Sequence, residues 1–480
     1  MLDDTRREMA RLLRGLEFDS VRAVLKFGAC ALAALVVAWL PEHAGLTEAG
    51  RCALAIVLLG AGLWITEAIP AFAVALLVIG LQIVVLGREG GVLAAAGDSN
   101  AWEAYVRPWA SPPMWLFFGG LVLARAAERT GLDREVASRV IAWSAGRPSR
   151  LLPAVMALAF GFSMFMSNTA TAAMMLAMLR PALAALPEGS RTARALLLGL
   201  ACAANLGGMA TIIGTPPNAI AAALLENSAR VDFLRWSLLA APPALLLFGV
   251  LWAVLAWPLR SEHRTRLALS SAADTEAEAG QVRRWQRLAT LVVFLLTVAL
   301  WMSGAWHGVP TGVVSFVPIV GLSMMGVIRR QDIRAIDWDV LILLAGGLSL
   351  GVGIEQSGLA EWLAGRVGDA GLPAWQAALA LAGLAAVVSN LMSNTAAANI
   401  LLPVTLVIAR AMGGGPGAEA AFLVPVALAC STAMALPIST PPNAIVYASG
   451  RLRSTDYLLP GLLMLVIGPP LALVWCRWIG

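Results

Sequence analysis

Two heptapeptides decide the fold: MSNTATA at 166–172 and MSNTAAA at 392–398, 226 positions apart. A second pair follows in the same order, GTPPNAI at 214–220 and STPPNAI at 439–445, offset by 225. Gly119-Gly120 recurs as Gly346-Gly347, and Glu-x-x-Gly-Leu at 128–132 recurs at 355–359, both offset by 227. Four matched features in one order at nearly constant spacing mark an internal duplication.

The surroundings of these motifs say what kind of chain was duplicated. Hydrophobic residues make up 59% of the 480, only 13% are charged, and the mean hydropathy is +0.78. Soluble domains carry about 25% charged residues, so this much apolar surface requires lipid. The chain reads as an all-α polytopic membrane protein. Several chemistries fall away with that reading. The three histidines, His43, His263 and His307, lie in separate polar connections without an HExxH, and the five cysteines stand singly without a CxxC. There is no GxxxxGK[ST], which argues against ATP drive, and no cofactor-binding signature. The net charge of +5 comes from basic residues scattered over short loops, a pattern of membrane orientation rather than of nucleic-acid binding.

A bilayer core of about 30 Å needs roughly 20 apolar residues per helical span. That ruler predicts eleven crossings, near 27–40, 52–69, 70–87, 113–128, 195–225, 236–258, 288–306, 309–328, 338–354, 420–450 and 457–477. Two more stretches, 151–186 and 373–411, are too long for one helix and are interrupted by Ser-Asn-Thr. They are expected to be re-entrant hairpins. Residues 1–26 are expected to form a cytoplasmic amphipathic segment, and 259–287 a cytoplasmic linker between a first repeat (27–258) and a second (288–480). With this topology, 26 of the 34 Lys and Arg fall inside, which satisfies the positive-inside rule and places the N-terminus in the cytoplasm. Counted on from 113–128, its copy at 338–354 is the fifth further crossing, and an odd count inverts the second repeat. Inverted repeats with paired broken segments characterise secondary transporters that bind substrate near the midplane.

The motifs carry hydroxyl and amide groups but no formal charge. At each tip, Ser167-Asn168-Thr169 or Ser393-Asn394-Thr395, the break exposes N–H groups of the outgoing half-helix, which favour an anion. The incoming half offers carbonyls and hydroxyls suited to a small hard cation, and Ser163 and Ser389 stand four residues before Ser167 and Ser393, on one helix face in each copy. Thr-Pro-Pro-Asn at 215–218 and 440–443 breaks the following crossings and frees further carbonyls. A single Ser-Asn-Thr in a membrane helix is usually packing glue; both motifs duplicated in order are not. Glu67, in WITEAIP at 64–70, reads as part of a tight turn, and Asp339 as a helix-start residue.

WITEAIP, both Ser-Asn-Thr tips and both Thr-Pro-Pro-Asn loops, in this order from about Leu25 to the C-terminus, resemble the divalent anion/sodium symporter family of di- and tricarboxylate carriers. The resemblance implies a homodimer in the inner membrane, in which a transport body comprising 151–225 and 373–450 moves elevator-fashion against a scaffold. It implies a first sodium site from Ser163, Ser167, Asn168 and the backbone at Gly207 and Gly208, with Asn205 adjoining it. A second would use Ser389, Ser393, Asn394 and the backbone near Ser439. Asn168, Thr169, Thr215, Asn394, Thr395 and Thr440 would hold the substrate carboxylates. Asn205 and Ala210 stand where similar sequences often show Ser and Gly. The expected activity is sodium-coupled transport of a C4-dicarboxylate such as succinate. Sodium-independent anion exchange, transport of sulfate, and a channel or membrane enzyme are the alternatives.

Overall fold

The computed structural model describes residues 21–40, 45–93, 100–226, 228, 231–259, 284–368, 371–413 and 415–479. Most of the amphipathic segment read in 1–26, and most of the linker read in 259–287, lie outside the described residues. Within them the secondary structure is helical, without a strand. Among the described residues nine helices are long and apolar enough to cross a membrane, which makes this a multi-pass membrane protein.

Helix α1 (Val21–Ala38) starts before the expected crossing and takes up its flanking residues. It is followed by α2 (Glu48–Thr66) and α3 (Ala71–Gln82), the latter prolonged by a π-turn at Ile83–Gly87. The WITEAIP turn joins α2 to α3. Glu67 takes a left-handed conformation there (φ 49°), Pro70 is the cap of α3, and the Trp64 indole donates to the Ala71 carbonyl at 3.1 Å. Glu67 is thus an exposed turn residue.

Next come α4 (Pro112–Thr130) and α5 (Leu132–Trp143), and, in the second repeat, α13 (Trp338–Gln356) and α14 (Leu359–Gly368). Both α5 and α14 lie in charged stretches outside the expected crossings and hairpins. The repeated Glu-x-x-Gly-Leu is the joint in each pair. Gly131 (φ 66°) and Gly358 (φ 77°) adopt the left-handed conformation that ends one helix and turns into the next, a conformation glycine tolerates at little cost. The repeated Gly-Gly is a packing device. A Cβ on Gly119 would fall 2.6 Å from the Ser315 Cβ, and one on Gly120 3.0 Å from Ile213. On Gly347 it would collide with Asn399.

The first interrupted stretch is α6 (Pro148–Ser163) and α7 (Asn168–Ala184); the second is α15 (Ala374–Leu391) and α16 (Asn394–Ala411). The broken crossings are α8 (Arg191–Met209) with α9 (Pro216–Leu224), and α17 (Pro416–Ser431) with α18 (Pro441–Tyr447). α10 (Phe233–Ala256) and α19 (Leu458–Ile479) follow the two broken crossings, while α11 (Arg284–Met302) and α12 (Phe316–Met324) precede α13.

Packing divides these helices into two groups. α6 lies along α8, α15 and α16 along α17, and α10 and α19 pack on the broken helices and on each other. The other group has α3 between α2 and α13, and α4 against α11 and α12. α16 is the main contact between groups, packing on α13 and α14. The deepest burial belongs to α8, all of whose residues from Ala195 to Met209 are buried.

Candidate functional site

Each Ser-Asn-Thr is a helix boundary. α6 ends at Ser163 and α7 begins at Asn168 with Ser167 as its cap; α15 ends at Leu391 and α16 begins at Asn394 with Ser393 as its cap. The expected placement of both serines on one helix face is therefore corrected. The helix stops between them, so the four-residue rule does not apply. In each copy the first serine reaches the asparagine instead. The Ser163 hydroxyl donates to Asn168 Oδ1, and Ser389 donates to Asn394 Oδ1 at 2.9 Å and lies 2.9 Å from the Cys430 carbonyl. The second serine differs between copies: Ser393 Oγ caps the Ala396 N–H at 3.2 Å, whereas Ser167 caps nothing with its side chain. Ser163 and Ser389 are fully buried, while Thr169 and Ser393 are exposed and Asn168, Asn394 and Thr395 half-buried. The tips thus present polar groups to an accessible space from a buried hydroxyl base.

The first tip sits against the end of α8. Gly207 lies so close to Phe160 that a Cβ there would fall 2.7 Å from the Phe160 Cα, and a Cβ on Gly208 would fall 2.6 Å from Asn168 Oδ1. The Thr211 hydroxyl donates to the Met164 carbonyl. Ser163, Asn168, Gly207 and Gly208 are in this way brought together. In the second copy Ser389, Asn394 and Cys430 meet, and Ser439 joins through Asn390. Its hydroxyl lies 3.1 Å from Asn390 Oδ1 and accepts from the Leu436 N–H at 3.1 Å.

The freed carbonyls at the breaks are not bare. Asn218 Nδ2 lies 2.8, 3.1 and 2.7 Å from the carbonyls of Gly208, Met209 and Thr211, and Asn443 Nδ2 lies 3.1 and 2.9 Å from those of Met434 and Leu436. The asparagine of Thr-Pro-Pro-Asn therefore serves its own break in both copies. Proline removes a donor and asparagine replaces it. Asn218, Asn443 and Asn390 were missed as polar determinants. The repeated asparagine was visible in the motif, but Asn390 has Met164 as its counterpart and gives no repeat signal.

Across the repeats the elements interlock. α9 packs on α16 and α17, and α18 packs on α7 and α8. Thr215 and Thr440 cap α9 and α18 at this junction and are 5% and 2% exposed. Asn205, expected beside the first cation site, turns its amide nitrogen to the other repeat. Nδ2 donates to Thr440 Oγ1 at 3.0 Å and to Asn443 Oδ1 at 3.4 Å. These site residues include no Lys, Arg, His, Asp or Glu. The chemistry available is that of oxygen donors to a cation and N–H or O–H donors to an anion.

A family description of citrate transporters matches residues 61–420. The chain belongs to the di- and tricarboxylate transporter family. A sodium-dependent dicarboxylate transporter of Staphylococcus saprophyticus, SdcS, is 30% identical over 85% of this chain and 82% of its own length. An uncharacterized transporter of Haemophilus influenzae is 30% identical over 86% and 88%. An uncharacterized transporter of Schizosaccharomyces pombe is 29% identical over 88% of this chain, which spans half the length of that relative. Among solved structures, the YdaH transporter of Alcanivorax borkumensis has the same fold, with a TM-score of 0.59 at 16% identity over 88% of this chain and 98% of its own. Membership of this family of carriers makes the chain a transport protein and not an enzyme.

Proposed function

We propose that this protein is a secondary active transporter of C4-dicarboxylates such as succinate, malate or fumarate, driven by sodium across a bacterial inner membrane. One observation carries the reading: two duplicated Ser–Asn pairs, Ser163 with Asn168 and Ser389 with Asn394, belong to a polar junction whose named site residues include no charged side chain. A divalent anion entering it meets no cationic residue. Its charge would be balanced by co-bound cations and by the helix starts at Asn168 and Asn394. Sodium ions would be held by the oxygens of Ser163, Ser167, Asn168 and the backbone at Gly207 and Gly208, and by those of Ser389, Ser393, Asn394 and the backbone near Ser439. Asn168, Thr169, Thr215, Asn394, Thr395 and Thr440 would bind the two carboxylates. The name of the SdcS relatives supports the same substrate and ion.

In this proposal α6–α10 and α15–α19 form the moving body of an elevator. This extends the boundary drawn from the sequence, because α10 and α19 pack on the broken helices. α6–α7 and α15–α16 are re-entrant hairpins of inverted repeats, although α15 and α16, at 18 residues each, are long enough to span separately. The moving body works within a homodimer with a cytoplasmic N-terminus.

The test is labelled succinate uptake into proteoliposomes under an inward sodium gradient. Accumulation that disappears when potassium replaces sodium is the expected result. Uptake only into vesicles preloaded with dicarboxylate, indifferent to sodium, would replace symport by exchange. Inhibition by excess sulfate with no succinate uptake would change the substrate class.

A further inference from the structure

The two halves of the polar junction are not equivalent, and one of their differences is a buried position on α8. Asn205 on α8 is fully buried, and its repeat counterpart, 225 residues on, is Cys430. Cysteine at that place offers only a weak donor, whereas the Asn205 amide reaches across to the other repeat.

Hydrogen-bond accounting at Thr440 gives this contact a direction. Thr440 Oγ1 accepts from Asn205 Nδ2 at 3.0 Å and from the Asn443 N–H at 3.3 Å. A hydroxyl has two acceptor lone pairs and one proton, so both lone pairs are engaged and the proton remains. Among the described residues no acceptor takes it. Thr440 is therefore left with one capability, to donate, which is what an oxyanion requires and what a cation cannot use. Thr215, the equivalent residue on α9, makes no capping hydrogen bond with its side chain, and the residue equivalent to Asn205 in the second repeat is Cys430, which has no amide side chain.

We infer that Asn205 is a positioning residue: its amide, crossing from the first repeat, fixes the Thr440 hydroxyl as a hydrogen-bond donor aimed at the transported anion. The inference rests on the proposed anion-transport function and adds to it a role for Asn205 separate from sodium coordination. The two ends of this side chain imply different readouts. Nδ2, acting through Thr440, bears on anion affinity. Oδ1, buried and without a partner among the described residues, would bear on sodium activation were the residue a cation ligand.

The experiment measures anion KM and the half-saturating sodium concentration in proteoliposomes for the wild type, Asn205→Ala, Thr440→Val and the double variant. The transported anion is whichever of succinate, citrate or sulfate the wild type accumulates. Loss of one net hydrogen bond should raise the anion KM roughly fivefold in Asn205→Ala. The half-saturating sodium concentration should stay within about twofold, and Asn205→Ala should add nothing once Thr440 is valine. Should Asn205→Ala fail to fold, Asn205→Ser and Thr440→Ser carry the test. The short hydroxyl at 205 should raise KM as alanine does, while Thr440→Ser, which keeps its own hydroxyl, should retain near-normal affinity. A shift in sodium activation with unchanged anion KM, or additive effects in the double variant, overturns the inference. Wild-type accumulation of citrate or sulfate but not succinate overturns the dicarboxylate reading and leaves the Asn205 test intact. Accumulation of none of the three overturns both.

Discussion

Gly208→Ala places a methyl group where the first tip approaches the end of α8, and the structure fixes what it must strike. The added Cβ would lie 2.6 Å from Asn168 Oδ1 and 2.9 Å from Asn168 Nδ2, while ordinary contact begins at 3.4 Å. The amide must therefore retreat by about 0.8 Å, derived from those two distances. It can move because it is the end of a half-buried side chain, but the move pulls it off the Ser163 hydroxyl. Losing that hydrogen bond, and leaving a buried hydroxyl unpaired, costs about 2 kcal/mol, or roughly a 30-fold loss of transport efficiency. Gly207→Ala is the control. Its Cβ would meet the Phe160 backbone, at 2.7 Å from the Cα, and a backbone between two packed helices cannot step aside. Gly208→Ala should yield folded carrier with impaired uptake; Gly207→Ala should yield little folded carrier at all. Yield after size-exclusion in detergent and initial uptake rates in proteoliposomes read the two separately. Folded Gly208→Ala protein with wild-type uptake would refute the placement of Asn168 in the site.

Removing the asparagine that serves each break, Asn218→Ala or Asn443→Ala, leaves buried carbonyls without a donor and should cost about 2 kcal/mol in each case, seen as a lower unfolding midpoint in detergent. Arg410 bridges Glu355 at 2.8 Å and Glu419 at 3.2 Å, and the Glu419 side chain is 8% exposed against 62% for Glu355. Arg410→Gln strands the buried carboxylate and should destabilise by about 1–2 kcal/mol, discounted because Arg410 is partly exposed, whereas Glu355→Gln should change stability by less than about 0.5 kcal/mol. Asp133 opens α5 outside the membrane-spanning segments, 4% exposed, and burial raises its pKa to about 6 against the opposing pull of the Arg134 N–H. A raised carboxyl favours the folded state below its ordinary range, near 3.8, and loses that contribution as pH rises through about 6. Asp133→Asn should therefore change stability by no more than about 0.5 kcal/mol at pH 4 and raise it by up to about 3 kcal/mol at pH 7; equal effects at both pH values would refute the assignment.

The sequence made the duplication readable because a repeat is a comparison of the chain with itself and needs no partner geometry. Composition made the membrane readable because excess apolar surface has one destination. The Glu-x-x-Gly-Leu repeat is plain in the sequence, but its meaning, a left-handed glycine joining two helices, lies in dihedral angles. Two helices, α5 and α14, were hidden in charged stretches, since a short amphipathic helix beside a membrane has the composition of a loop. The four-residue spacing of the serines misled because the helix rule was applied across a helix end. Asn390 escaped because only one repeat has it. Asn205 was placed beside the first tip by its position in the chain, whereas its amide is used 235 residues away at Thr440.

That last contact ties the polar groups of the two repeats together, as the proposed single site requires. Each Pro-Pro break strips its own crossing of donors, and the short helix that follows packs on the outgoing arm of the opposite repeat. Neither repeat completes its polar surface alone. Asparagines supply what the breaks lack: Asn218 and Asn443 within a repeat, Asn205 between repeats. Because these groups are neutral, the junction can be buried without an uncompensated charge. A bound anion must then bring or recruit its own counter-charge. An Arg or Lys at the junction would hold the anion without a cation and so uncouple the two. In the proposed symport, the neutrality of the site is in this sense the structural requirement for coupling. Thr440→Lys tests it, because the lysine should permit anion binding, measured by equilibrium retention in detergent, at sodium concentrations where the wild type binds none. Equal sodium dependence in both proteins would sink the argument.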